Sequence, residues 1–124
     1  MILLDTNYLI GALVSGSEAS DKILTWLERG EVLLTAMPAW YEFLCGPVSS
    51  VQIAAVRAIL TAIVPLDEIQ AQEAALLFNQ AGRKRTLRVD ALIAACAVLK
   101  DASLATQNIS DFECFVPYGL QLCE

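Results

Sequence analysis

The 124-residue sequence predicts an α/β fold in which a central parallel sheet of four to five strands is flanked by helices. Short apolar runs, too short for anything but strands, alternate along it with stretches of helical period. A carboxylate, Asp5, directly follows the first such run, Met1-Ile2-Leu3-Leu4, on the rim where open α/β sheets bind their ligands. The segment 89–99 is apolar almost all round, as expected of a helix packed deep in the molecule.

The elements follow in order. A strand is expected at residues 2–4, then a short helix or turn from Tyr8 to Val14, broken by Ser15-Gly16-Ser17. Ser20 reads as the N-cap of a helix whose apolar face is Ile23, Leu24 and Leu27 and which stops at Gly30. Val32-Leu33-Leu34-Thr35 reads as the second strand, and Pro38 opens a helix through Glu42 that Gly46-Pro47 ends. Helical spacing of Val51, Ala54, Ala55, Ala58, Ile59 and Ala62 predicts a helix over 50–63. Val64-Pro65-Leu66 is at best an edge strand, because proline cannot donate to a ladder. Asp67 is placed to cap a helix over 68–82, residues 103–106 form a buried strand, and Gln121-Leu122 is a candidate terminal strand.

One domain, residues 1–124, is expected from the length, large enough to bury a core without staples. Met1 leads straight into a strand with no basic region or cleavage site, so no signal peptide is expected. The longest stretch without a charge, 43–56, is too short and broken to span a bilayer. Cys45, Cys96, Cys114 and Cys123 lie far apart, which points to reduced, mostly buried thiols in a cytoplasmic protein. The apolar fraction of 56% suggests a buried interface with another copy or a different protein.

The net charge of −6 argues against nonspecific adhesion to nucleic acid, yet four of eight basic residues (Arg83, Lys84, Arg85 and Arg88) fall within six positions. A helix end explains such a cluster as readily as a ligand does. There is no histidine, so any chemistry must come from carboxylates. Each acid also has a structural explanation. Asp5 is equally suited to cap a helix, Asp90 to a helix first turn, and Asp111 to a turn before a helix. Glu42, between Trp40-Tyr41 and Phe43-Leu44, is expected to be buried, and Arg57 is its candidate ion-pair partner. What these explanations leave out is the joint placement. Residues after neighbouring parallel strands converge on one edge, and several carboxylates there cannot all ionise unaided. A divalent cation resolves the conflict, and an all-oxygen set without histidine points to Mg²⁺ or Mn²⁺.

In their order these residues resemble the PIN domain family, specifically the short VapC-type toxins of VapBC toxin–antitoxin pairs. Leu4-Asp5-Thr6-Asn7 is similar to the N-terminal LDTN signature. Glu42 in Pro38-Ala39-Trp40-Tyr41-Glu42 is similar to the helix-borne second acid. Asp90 in Asp90-Ala91-Leu92-Ile93-Ala94-Ala95 is similar to the third, and Ala105 to Phe112 resembles the closing AT-x-N-x-x-DF motif. The departures are Asn108, where many relatives carry a fourth acid, and Gln107, where many carry arginine.

The resemblance implies a three-layer PIN-like fold and a metal-dependent endoribonuclease, the toxin of a type II pair, leaving 5′-phosphate and 3′-hydroxyl ends. It implies Asp5 and Asp90 as metal ligands, with Glu42 completing the acidic site, and Asn108 and Asp111 in support. It places Thr6 against a ligand carboxylate or phosphate, and makes Arg83, Lys84, Arg85 and Arg88 contacts for RNA phosphates or for an antitoxin tail. A VapB-type antitoxin and a homodimer or higher homo-oligomer are the implied protein partners. Two other readings stand beside it: a noncatalytic PIN-fold binding module, resting on Asn108, and an Asp5-dependent phosphatase or phosphotransferase. The latter is opposed by Asn7, where haloacid-dehalogenase-like enzymes need a second Asp.

Overall fold

β1 (Ile2–Leu4) occupies the centre of a five-stranded sheet in a computed structural model that describes residues 1–123. Its neighbours are β2 (Leu33–Ala36) on one side and β4 (Ser103–Ala105) on the other, both parallel to it. β3 (Ala62–Val64) and β5 (Gln121–Leu122) close the edges, giving the order β3-β2-β1-β4-β5 with every pairing parallel. Every residue of β1 and β2 is buried, as a sheet covered on both faces requires. Helices flank it in a three-layer α/β arrangement.

Chain growth runs from β1 to β2 to β3, then returns across the sheet to β4 on the far side of β1. The reversal puts a topological switch point between the carboxyl ends of β1 and β4. That crevice is where such sheets take ligands.

Local sequence sets each helix. α1 (Thr6–Gly11) begins immediately after Asp5, two residues earlier than expected, because the Asp5 carboxylate accepts from the Thr6 N–H and caps it. α2 (Glu18–Glu28) is capped by Ser17 and not by Ser20. Gly16, at φ 80°, makes the break, after which the Ser17 hydroxyl takes the Ser20 N–H at 3.1 Å. α3 (Met37–Cys45) has Pro38 in its first turn, where a missing N–H costs nothing. α5 (Glu68–Gln80) is capped by Asp67 as expected. α6 (Arg88–Leu99) buries Ala91 and Ile93 through Ala97 in succession, and it packs along α5.

The predicted helix over 50–63 is the clearest error. α4 (Ser50–Ile59) stops at Leu60, which turns extended, and Thr61 donates its N–H to the Leu33 carbonyl at 2.8 Å. Sheet pairing beside β2 wins over the helical period, and Pro65 ends the strand after Val64. The thiols also differ from expectation. All four are unpaired, but only Cys96 is buried, while Cys45 is exposed and Cys114 and Cys123 are half-buried. Among the described residues no helix is long and apolar enough to cross a membrane.

α1 and α2 cross closely at Gly11, where an added Cβ would lie 2.6 Å from the Ala19 Cβ in the core. Gly11→Ala is therefore expected to cost about 1–3 kcal/mol through overpacking, read as a lower urea midpoint at unchanged slope.

Candidate active site

Leu4 pairs with Ala105 across β1 and β4, so the next residues, Asp5 and Thr106, emerge side by side at the switch point. Both are buried. The Thr106 hydroxyl donates to Asp5 Oδ2 at 2.7 Å and accepts the Asn108 N–H at 3.0 Å. Asp5 Oδ1 accepts the Thr6 N–H at 2.8 Å, and the Asn7 amide reaches Oδ2 at 3.4 Å. A second tie runs beside it, from the Gln107 N–H to Asn7 Oδ1 at 3.2 Å. Asp5 is thus both the cap of α1 and the best-anchored acid at the crevice; the two explanations coexist.

Three further acids surround it. Asp90 projects half-buried from the first turn of α6, and Asp111 is half-buried in α7 (Ile109–Phe112). Glu42 is exposed, against expectation. α3 turns Ala39 and Phe43 inward, with Trp40 packed 5.2 Å from Phe43, and this leaves Glu42 on the open side facing the crevice. Arg57 is not its partner: that guanidinium reaches the Leu60 carbonyl at 3.5 Å.

The acids feel each other. Burial raises the Asp5 carboxyl above its usual range, opposed by the Thr106 and Thr6 hydrogen bonds and reinforced by Asp111. Partial burial and then Asp5 raise Glu42. Burial, followed by the charges of Asp5, Asp111 and Glu42, pushes Asp90 up to about 6. Four carboxylates around one rim, with oxygen as the only donor type, suit a hard divalent cation. Among the described residues no three acid, cysteine or histidine side chains yet converge closely enough to hold one.

The sequence matches the PIN domain family over residues 2–113. The chain belongs to the PIN domain family. Solved structures similar to it include a toxin–antitoxin complex from Klebsiella pneumoniae, at 26% identity and TM-score 0.72, with 90% of each chain covered. VapBC2 from Rickettsia felis, bound to a DNA fragment from its promoter, is similar at 20% identity and TM-score 0.76, covering 99% of this chain and 98% of that one. FitAcB from Neisseria gonorrhoeae is similar at 20% and TM-score 0.73, covering 100% and 97%. At that identity the last two share the fold. No curated protein matches the sequence.

Within this PIN domain the remaining expected residues are placed unevenly. The Thr6 hydroxyl points to the Ala39 carbonyl at 3.5 Å, so Thr6 serves Asp5 through its backbone. Asn108 likewise contributes its backbone N–H, while its side chain is exposed and makes no capping bond. Of the basic cluster, Arg83 and Arg88 line a groove of about 450 Å³ between α5 and α6, with Arg83 bonded to Asn79 and lying 5.8 Å over the Phe78 ring. Arg88 and Asp90, two residues apart on one helix, point about 200° apart. Lys84 and Arg85 are exposed.

Thr106 and Asn7 are the residues that motif reading undervalued. Both stand inside the matched strings, but only the β1–β4 pairing reveals what they hold.

A carboxyl whose folded pKa exceeds its unfolded value binds a proton on folding between the two, so stability present at low pH falls as pH rises through that window. For Asp90 the window runs from 3.8 to about 6. Without divalent ions, urea stability should fall over this range. Asp90→Asn should flatten the profile and stabilise the protein at neutral pH by about 1 kcal/mol, allowing for solvent screening.

Proposed function

We propose that this PIN domain is the ribonuclease toxin of a type II toxin–antitoxin pair, hydrolysing RNA phosphodiester bonds with Mg²⁺ or Mn²⁺. The products would carry 5′-phosphate and 3′-hydroxyl ends. The observation that carries the reading is the placement of Asp5, Glu42, Asp90 and Asp111 around the β1–β4 switch point, where burial first, and neighbouring acids after it, raise Asp5, Glu42 and Asp90. When bound, the cation would supply Lewis acidity and charge compensation for in-line attack at phosphorus.

The side chains divide the work. Asp5 and Asp90 would hold the ion and Glu42, on the open side, would complete the set. Asp5 enters ligation with its orientation already fixed by Thr106 and the Thr6 N–H. Asp111 adds charge beside Asp90, and the exposed Asn108 amide is free to meet substrate. Arg83, Lys84, Arg85 and Arg88, all exposed, would offset the acidic net charge locally and draw the phosphate backbone in.

An antitoxin fits the surface as well. Met37, Pro38, Trp40, Tyr41, Leu44 and Leu66 line an apolar groove of about 480 Å³ on α3, the helix that also carries Glu42, the kind of surface that takes the apolar face of a helix. Val51 and Ile69, 76% and 66% exposed, mark apolar surface left over for self-association. Four unpaired thiols fit a reducing, cytoplasmic setting.

Antitoxin-free protein should bind Mn²⁺ or Mg²⁺ by calorimetry and cut RNA in its presence, and Asp5→Asn should lose both properties. RNA left whole with either ion, structured or not, would refute the nuclease; an absent calorimetric signal as well would favour the noncatalytic binding module. Thr106→Val, which removes the hydroxyl that fixes Asp5, should weaken the ion's affinity by about 10–100-fold in the same titration.

A further inference from the structure

Beside Thr106, residues of α1, α2 and the turn after β4 line a cavity of about 270 Å³ that includes none of the four acids and that the proposed chemistry does not use. Tyr8, Ile109 and Cys123 supply apolar walls, and Glu18, Lys22 and Gln107 supply the polar ones. Thr106 lines it too, while its hydroxyl holds Asp5 at 2.7 Å, so the cavity opens one residue from the reacting centre. The Gln107 backbone is fixed by Asn7, and the Tyr8 ring is stacked 5.9 Å from Trp26, so these two walls are preset.

Charge and size select the occupant. Lys22 Nζ sits 3.1 Å from Glu18 Oε1, so the pair carries no net charge and a phosphate would gain nothing there. The volume falls just under the roughly 300 Å³ at which small-molecule pockets begin, room for one planar ring system and not for two nucleotides. Ile109, 47% exposed, can cover a ring face at the mouth. A carboxylate next to an ammonium matches a base edge that presents donors beside an acceptor. Guanine alone among the four RNA bases offers N1–H and N2–H₂ as adjacent donors with O6 alongside. The ammonium stays charged, because Glu18 holds Lys22 above its usual range.

We propose that this cavity receives a guanine base of the RNA strand flanking the scissile phosphate, with Glu18 accepting from N1–H and N2–H₂, Lys22 donating to O6, and Gln107 reading the remaining edge. The inference deepens the ribonuclease reading and rests on it for the strand's path. It adds a specificity site that shares no residue with the basic cluster.

Binding is tested first without catalysis, by amide NMR in EDTA with the trinucleotides UGU, UAU, UCU and UUU. UGU should move the Gln107 and Ile109 signals and bind at least about fivefold more tightly than the others, the worth of one net hydrogen bond. Glu18→Gln and Lys22→Ala, whose exposed ion pair adds little to folding, should each erase that preference. Sequencing the cut ends of a randomised RNA with Mn²⁺ supplies the second arm: wild type should enrich guanine at one position flanking the cut, and both variants should flatten it. Equal binding of all four trinucleotides, or a guanine preference that survives in both folded variants, overturns the proposal. Intact RNA with UGU still bound at Gln107 would sink the nuclease reading and leave the base pocket standing, whereas cleavage with no flanking preference would do the reverse.

Discussion

The hydrogen bond from Thr106 to Asp5, 2.7 Å long and buried, spans the one place in the sheet where chain growth reverses. Asp5 is the most deeply placed acid of the molecule's rim, and a carboxylate there is tolerated because both oxygens are occupied. One oxygen caps α1 and the other ties β1 to β4. The same anchoring fixes which way the carboxylate faces, and with it the geometry against which Glu42, Asp90 and Asp111 are set. The Thr106 hydroxyl also accepts the Asn108 N–H, so the turn carrying Asn108 and Asp111 is positioned by the same atom.

That arrangement sets repulsion against packing. Asp90 sits in the first turn of α6, where the helix dipole favours negative charge, yet burial and three neighbouring acids push its carboxyl up to about 6. α6 can carry such a residue because six of its other side chains are buried and it packs along α5. The hydrophobic face holds the acid in a place it would otherwise leave. Such conflicts between local preference and imposed position cluster at functional sites, where the strain is relieved by a ligand.

Much of this was legible in the residues. Strands too short to be helices, the almost wholly apolar α6, and acids after strand ends led to a parallel α/β sheet with a carboxylate rim, and motif order led to the PIN family that the match over 2–113 establishes. Strand order was not legible, because nothing local says that β1 lies beside β4. Thr106 and Asn7, which only that adjacency explains, were therefore undervalued. Glu42 was expected to be buried because its sequence neighbours are apolar. On a helix those neighbours face different ways: Phe43 is buried while Tyr41 is 67% exposed. The end of α4 was misread for a related reason, since the helical period runs on past the point where pairing with β2 captures the chain. Lys22 and Gln107 share a cavity across a separation that no periodicity reports.

If the crowded carboxylates are a cation site held in tension, their ionisation must be linked. Carboxyl ¹³C NMR titration of the metal-free protein, repeated with saturating Mg²⁺, measures that linkage residue by residue. Asp90 should titrate near 6 without the ion, with Asp5 above the usual range, and both should fall together when the ion is added. Titration curves for Asp5 and Asp90 that Mg²⁺ leaves unchanged would contradict the account at its centre.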